Sequence, residues 1–151
     1  LSRVILQFLP NIHLIGVIII SLTVVYRTKA LYPIYVYVLL EGLFGGFNLW
    51  WIPYLYIWTV LWGVSMLIPE RLPQKIRFPI LIGCACLHGL LFGILYAPLQ
   101  AIMFHLSFKA TVAWVMAGFP YDVIHGLGNL ALGFLIYPMT KIMIKARNGT
   151  G

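Results

Sequence analysis

Long uncharged stretches are the main pattern of this chain. Residues 4–26 and 78–108 contain no charged side chain, and residues 30–69 contain only Glu41. A further stretch near the C-terminus also contains a single charge. A helix needs about 20 apolar residues to cross a bilayer, so residues 30–69 are long enough to cross twice. The pattern therefore predicts membrane-spanning helices in an all-α fold.

Glycine, asparagine and proline residues set the predicted ends of these helices. Gly45, Gly46 and Asn48 indicate a hinge between two spans. Gly118 and Pro120 indicate a break that opens the last helix towards the connection before it. The predicted spans are about residues 12–26, 31–47, 50–68, 79–97 and 118–141, in a single transmembrane domain over residues 1–151.

The first eight residues are apolar but too short to cross a bilayer. We interpret residues 1–8 as the remnant of a first helix. The predicted fold is therefore a polytopic membrane helix bundle with five full spans and a truncated first helix. A cleaved or interfacial segment is the alternative interpretation of residues 1–8.

The composition excludes a water-soluble protein. Hydrophobic residues make up 62% of the chain and charged residues 9%, with a mean hydropathy of +0.99. Soluble domains contain about 25% charged residues, so here the bilayer must act as the solvent. The net charge of +7 does not indicate nucleic acid, because the cations flank the apolar stretches.

The cations lie mainly on one side of the predicted membrane. If the five spans alternate, eight Lys and Arg residues fall on the side of the C-terminus, and Arg3 and Lys109 fall on the other. Cytoplasmic loops carry an excess of positive charge, which predicts a multi-pass protein of the cell membrane with a cytoplasmic C-terminus. The eight are Arg27, Lys29, Arg71, Lys75, Arg77, Lys141, Lys145 and Arg147.

Aromatic residues form a stripe on one predicted helix, which begins with the segment WWIPYLYIW at residues 50–58. Trp51, Tyr54, Trp58 and Trp62 recur at i, i+3, i+7 and i+11, which places them on one helix face. Trp58 lies about 10 Å deeper than Trp51, below the aromatic belt of the membrane surface. Such a face either packs on neighbouring helices or lines a cavity for a flat molecule.

Five polar side chains are predicted in the outer halves of the spans. Asp122, His125 and Asn129 share one helix face, and Glu41 and His88 lie on two other helices. Ionisable groups at membrane depth normally face the bundle interior and pair there. These five side chains form either a network that locks the helices together or part of a binding site.

Motifs for metal binding or catalysis are not found in the sequence. The chain contains no GxxxxGK[ST], HExxH or nucleophile-elbow motif. Asp122 and His125 supply two possible metal ligands, but a third at a recognisable spacing is missing. Cys84 and Cys86 are assigned to packing. We therefore predict neither a metal nor a cofactor.

Five segments carry a family resemblance: LPNIHL at 9–14, ALYPIYVYVLLEGLFGGF at 30–47, WWIPYLYIW at 50–58, HGLLFG at 88–93 and GFPYDVIHGLGN at 118–129. They resemble the substrate-binding S components of the energy-coupling factor vitamin transporters of prokaryotes. The last segment is the most specific, and the resemblance extends from residue 9 over nearly the whole chain. It implies a six-helix bundle with both termini in the cytoplasm.

The resemblance also implies a function and partners. An S component binds a vitamin or related micronutrient tightly in an outward-facing pocket. It works with a membrane-embedded coupling T subunit and two cytoplasmic ATPases, so this chain would not itself be an enzyme. Many aromatic and few charged residues favour a neutral or weakly charged flat heterocycle. Flavins, pterins, thiamine-like pyrimidines and modified purines all fit.

The resemblance suggests roles for the residues identified above. They are Trp51, Tyr54 and Trp58 as ring-stacking walls, Trp114 as a wall from the outer connection, Asp122, His125 and Asn129 as hydrogen-bond partners of the substrate, and Glu41 and His88 as supporting residues.

Two other functions fit the residues. A small intramembrane enzyme could use Asp122, His125 and Glu41 as acid/base or metal groups, if they meet at a common point. A structural membrane subunit would instead pack its aromatic stripe on a partner helix.

Overall fold

The computed structural model describes residues 14–149, which are almost entirely helical and contain no strand. The predicted helix remnant at residues 1–8, Arg3 and the start of the predicted 12–26 span lie outside the described residues. The helices are α1 (Ile15–Tyr26), α2 (Leu31–Gly45), α3 (Tyr54–Leu67), α4 (Gln74–Leu90), α5 (Phe92–Met103), α6 (Phe108–Leu132) and α7 (Ile136–Asn148), with 3-10 segments at Arg27–Ala30 and Gly133–Leu135.

Three helical stretches within residues 14–149 are long and apolar enough to cross a membrane. They are Ile15–Gly45, Gln74–Met103 and Phe108–Asn148, with 31, 30 and 41 residues. Helix α3 is also apolar but shorter. The prediction of an all-helical protein with membrane-spanning helices is confirmed at this level. The division into five full spans of a six-helix bundle stays a prediction.

The two longest apolar stretches after α3 run antiparallel and form the main packing unit of the fold. Helix α5 follows α4 almost directly, and α7 follows α6 through a short 3-10 segment. The connection at residues 104–107 joins the two stretches. Residue numbers rise along one stretch as they fall along the other, as an antiparallel pair requires. The contacts are Phe78 with Tyr137, Ala85 with Asn129, and Gly93 with Asp122.

Two glycines allow α4 and α6 to approach closely at the middle of this unit. A Cβ placed on Gly89 would lie 2.8 Å from both the N and the Cα of Gly126. Real Cβ atoms do not come so close to a backbone, so residue 89 has no room for a side chain. Small residues permit such crossings in membrane bundles, where close packing stabilises the helix pair.

Local signals explain where two of these helices start and stop. Gly46 ends α2 at a φ of 88°, a conformation that a residue without Cβ adopts at little cost. Ser107 begins α6, because its Oγ accepts a hydrogen bond from the backbone N–H of Ala110 at 3.2 Å. The connections at 46–53 and 104–107 therefore have a basis in the sequence.

Prolines do not interrupt α5 and α6, which contrasts with the sequence prediction. Helix α6 runs from Phe108 through Gly118 and Pro120 to Leu132, so the predicted break at these two residues is wrong. Helix α5 likewise continues through Pro98. Membrane helices tolerate proline because neighbouring groups satisfy the backbone atoms that it frees. Consequently Trp114 lies on a helix rather than in a connection.

The basic segments meet at the end of the bundle opposite the 104–107 connection. The Arg27 guanidinium forms an ion pair with Glu70, with Nε and Oε1 2.8 Å apart. The backbone carbonyl of Arg27 accepts a hydrogen bond from Trp62 Nε1 at 3.0 Å. Arg147 Nη1 donates to the carbonyl oxygen of Val25, also at 3.0 Å. The turn after α1, the loop before α4 and the end of α7 thus lie together, and below we call this the basic end.

Candidate functional site

Phe92 is the centre of a cluster of rings where α3, α4, α5 and α6 meet. Tyr54 and Trp58 come from α3, and His125 comes from α6. These rings, together with His88 and Tyr96, form the cluster that we call the Phe92 cluster. The centre of the Phe92 ring lies 5.1 Å from that of His125, 5.8 Å from Trp58, 6.1 Å from His88, 6.3 Å from Tyr96 and 6.4 Å from Tyr54.

Much of the Phe92 cluster is tightly packed. The exposed fractions of Trp58 and His125 are 1% and 5%. His88 is also buried, and its Nε2 donates a hydrogen bond to the carbonyl oxygen of Ile57 at 3.0 Å. The hollow that the sequence suggests between the aromatic stripe and the polar face of α6 is therefore filled by Phe92.

A groove lies beside this cluster, between α5 and α6, and Phe92 belongs to both. Its volume is about 320 Å³. The groove is on the half of the helices near the 104–107 connection, away from the basic end. We call it the Asp122 groove. Side chains that line it include Phe92, Tyr96, Gln100, Trp114, Tyr121 and Asp122.

Asp122 is held at the groove by the backbone of α5. Its Oδ2 accepts a hydrogen bond from the N–H of Gly93 at 3.1 Å. A Cβ on Gly93 would collide with this oxygen, so the carboxylate occupies space that glycine leaves open. Its second oxygen, Oδ1, accepts no hydrogen bond from the residues at 14–149, and Asp122 forms no ion pair with any of them. One oxygen is thus fixed, and the other remains available.

Two aromatic side chains stack at the groove. The Tyr96 and Trp114 rings are nearly parallel, with an interplanar angle of 26° and centroids 5.9 Å apart. The Tyr96 hydroxyl donates to the carbonyl oxygen of Trp50 at 2.7 Å, which fixes this ring from the side of the 46–53 connection. Aromatic faces of this kind are suited to contacts with flat rings.

Three predicted site residues lie elsewhere. Trp51 packs against α2, where its Nε1 donates to the carbonyl oxygen of Val38 at 2.7 Å. Asn129 is buried, and its Nδ2 donates to the carbonyl oxygen of Ala85 at 3.0 Å. Glu41 is on α2, which packs on α3. None of the three lines the groove.

The structure therefore sorts the predicted residues into groups. Trp114 and Asp122 meet at the groove, whereas the predicted residues of α3 and α4 and His125 surround Phe92. Sequence reasoning missed Phe92, Tyr96 and Tyr121. A signal for the first two exists, because His88, Phe92 and Tyr96 are four residues apart and so share one side of the α4–α5 stretch.

Metal binding has no support in the described geometry. No group of three His, Cys, Asp or Glu side chains between residues 14 and 149 is arranged to hold a metal ion. Asp122 contacts Gly93, whereas His125 packs on Phe92. These two possible ligands of α6 therefore have different neighbours.

A second, smaller groove lies between α3 and α4. Its volume is about 100 Å³, and apart from His88 and Cys84 its lining is aliphatic. It lacks the carboxylate and the stacked rings of the Asp122 groove, which makes the Asp122 groove the stronger candidate for a polar ligand.

The chain matches no protein-family model, no curated protein and no solved structure. The fold and the groove define the class: an all-helical protein with membrane-spanning helices and a mixed aromatic and acidic groove near one end.

Proposed function

We propose that this protein is the membrane-embedded substrate-binding subunit of an energy-coupling factor importer for a flat heterocyclic micronutrient. The observation that carries the proposal is the Asp122 groove, where Trp114, Tyr96 and Asp122 converge. A groove with aromatic walls and few polar groups is the usual form of a small-molecule site. The resemblance of the sequence motifs supplies the transporter class.

The depth of the groove supports an outward-facing site. Lys141 lies nineteen residues after Asp122, and Arg77 lies nineteen residues before Tyr96. Nineteen helical residues span about 28 Å, close to the ~30 Å thickness of the hydrocarbon core. If the basic end marks the cytoplasmic boundary, the groove lies at the outer boundary. The proposal therefore includes a multi-pass protein of the cell membrane with a cytoplasmic C-terminus.

Energy for transport would come from partner subunits. The sequence resemblance implies a coupling T subunit in the membrane and two cytoplasmic ATPases, and the chain carries no familiar phosphate-binding motif. In this proposal the protein is a binding subunit of the six-helix type, with five full membrane spans between residues 12 and 141. It binds its substrate without chemical change.

The placement of the acidic and histidine side chains favours binding over catalysis. An enzyme would need Asp122, His125 and Glu41 within reach of one reacting atom. Asp122 lies in the groove and His125 packs against Phe92, whereas Glu41 is on α2. Of the three side chains, only that of Asp122 lines the groove.

Gly118 and Gly83 offer a matched pair for testing this proposal. Gly118 lines the groove, and Gly83 lies on α4 outside it. A Cβ at either position would meet no atom within 4 Å. The Gly118→Leu change would fill the groove without a clash at the first side-chain atom, and Gly83→Leu serves as the control.

The experiment is a calorimetric binding screen of water-soluble vitamins and nucleobases against the purified protein. We expect one compound to bind the parent protein and Gly83→Leu equally. The same compound should bind Gly118→Leu at least about tenfold more weakly, because the leucine side chain takes the space that the ligand needs. Equal binding to Gly118→Leu would reject the groove as the site. A screen without any bound compound would reject the proposed function.

A further inference from the structure

We infer that the Asp122 groove selects a small planar ligand that carries a positive charge or an amidine-like pair of N–H donors, and that it rejects anions. This inference rests on the proposed function, since it names the substrate class of that site. It differs from the neutral or weakly charged ring that the composition favours. Three features of the groove carry it.

The first feature is the charge of the groove. Asp122 is the one carboxylate among the described residues that line the groove, and these residues include no Lys or Arg. The closest cation along α6 is Lys109, thirteen residues from Asp122, a distance of about 20 Å along the helix. The other cations of residues 14–149 belong to segments at the basic end. Among residues 14–149, no Lys or Arg lies near enough to this carboxylate to compensate the charge of an anionic ligand.

The second feature is the geometry of the carboxylate. Asp122 is 7% exposed, and a largely buried carboxylate is costly unless a donor or a cation partners it. Gly93 satisfies Oδ2, and none of the described residues donates to Oδ1. A ligand N–H that donates to Oδ1 would give both oxygens of the carboxylate a hydrogen bond. A charged N–H donor would form the shorter and stronger type of hydrogen bond.

The third feature is the set of rings around the carboxylate. Phe92, Tyr96, Trp114 and Tyr121 all line the groove. The faces of aromatic rings carry negative potential and attract a cation within about 6 Å of the ring centre. The carboxylate and the rings thus favour the same sign of ligand charge. Flat ligands also match the parallel Tyr96 and Trp114 rings.

The size of the groove sets an upper limit on the ligand. Its volume of about 320 Å³ lies at the lower end of small-molecule sites, which range from about 300 to 1,000 Å³. A ligand with one or two fused rings fits this space. A dinucleotide or a corrin ring does not.

Benzamidine, benzamide and benzoate form a matched set of probes, because they share one planar ring and differ in charge. Each is titrated against the purified full chain, with tryptophan fluorescence as the readout. We expect benzamidine to bind at least about tenfold more tightly than the other two, since hydrogen bonds to charged groups are the stronger kind. The Asp122→Asn change should remove this preference, because it should weaken benzamidine binding more than benzamide binding.

Trp114→Leu is the second variant, and it keeps the test decisive if Asp122→Asn fails to fold. We expect it to weaken benzamidine binding more than benzamide binding, because it removes a ring face that attracts cations. Thermal unfolding of each variant shows whether it is folded. Loss of the charge preference in either folded variant supports the inference.

Other outcomes separate this inference from the proposed function. Equal binding of the three probes, or tighter binding of benzoate, would overturn the charge selection. If a neutral or anionic vitamin then still binds in a Gly118→Leu-sensitive manner, the proposed function stands and the inference alone fails. If no probe and no vitamin binds, both fail.

Discussion

Gly93 and Asp122 link α5 to α6 through a hydrogen bond from a backbone N–H to a carboxylate oxygen, with the two atoms 3.1 Å apart. The bond exists because residue 93 has no side chain, since a Cβ there would take the place of the oxygen. The same bond joins α5 to α6 and fixes the Asp122 carboxylate in the groove. A single substitution at Gly93 therefore tests both the stability of the fold and the geometry of the site.

Replacement of Gly93 by alanine should destabilise the protein, although alanine is the better helix former. The new Cβ displaces Asp122, and the lost hydrogen bond of a buried carboxylate costs about 1–3 kcal/mol. Thermal unfolding in detergent, followed by tryptophan fluorescence, measures the effect. Gly83→Ala is the control, because its Cβ meets no neighbour and the change should be neutral or slightly stabilising. Equal melting temperatures for the two variants would contradict the described contact.

The crossing of α4 and α6 gives a second prediction, which ranks two variants. In Gly89→Ala the new Cβ meets backbone atoms of Gly126 at 2.8 Å, and these atoms cannot avoid the contact by a rotamer change. In Gly126→Ala the nearest atoms belong to the side chain of Leu90, which can rotate. We expect Gly89→Ala to cost about 1–3 kcal/mol and Gly126→Ala to cost less. Thermal unfolding in detergent measures the stability of both variants. If Gly126→Ala is the less stable one, the helices cross in a different way.

Phe92 should be among the more sensitive side chains of the protein. Phe92→Ala removes the ring that contacts Trp58 and His125, and truncation of a packed phenylalanine costs about 3–5 kcal/mol. A cavity beside Trp58 should also let acrylamide quench tryptophan fluorescence more strongly. Phe108→Ala provides the comparison, because Phe108 is 86% exposed and its replacement should change stability by less than about 0.5 kcal/mol. A stable Phe92→Ala variant with unchanged quenching would argue against the cluster.

Cysteine labelling in intact cells tests the orientation. Phe104→Cys lies in the connection between α5 and α6, and Gln74→Cys lies at the start of α4 near the basic end. Each is placed in a background with Cys84→Ser and Cys86→Ser. A membrane-impermeant maleimide should label Phe104→Cys in intact cells and Gln74→Cys only after the membrane is opened. The opposite pattern would place the C-terminus outside and remove the basis for an outward-facing groove.

The helical nature of the protein follows from the sequence because uncharged stretches of this length have few alternatives in a bilayer. Charged residues also mark helix ends: α1 ends at Tyr26, directly before Arg27, and α3 ends shortly before Glu70. The prolines led to wrong predictions of where two helices are interrupted. Pro120 predicts a break, and the predicted 79–97 span stops just before Pro98. Helices α5 and α6 nevertheless continue through these prolines, since tertiary packing overrides the local preference.

The candidate site could be predicted only in part. Helical periodicity places Asp122, His125 and Asn129 on one face, but it does not say which neighbour each residue meets. That depends on how far α4 and α5 slide along α6, and the close approach at Gly89 sets this register. Thus the three residues contact Gly93, Phe92 and Ala85 in turn. Phe92 was missed because its spacing from His88 and Tyr96 indicates a shared helix side, but does not show that the other rings pack around it.

The two attachments of Tyr96 have a mechanical consequence. Its ring forms one wall of the groove, and its hydroxyl holds the chain at the carbonyl of Trp50, between α2 and α3. The phenol ring of Tyr96 and its hydroxyl oxygen form one rigid planar group. A ligand that separates the Tyr96 and Trp114 rings would therefore also stretch the hydrogen bond from the Tyr96 hydroxyl to the carbonyl oxygen of Trp50 in the 46–53 connection.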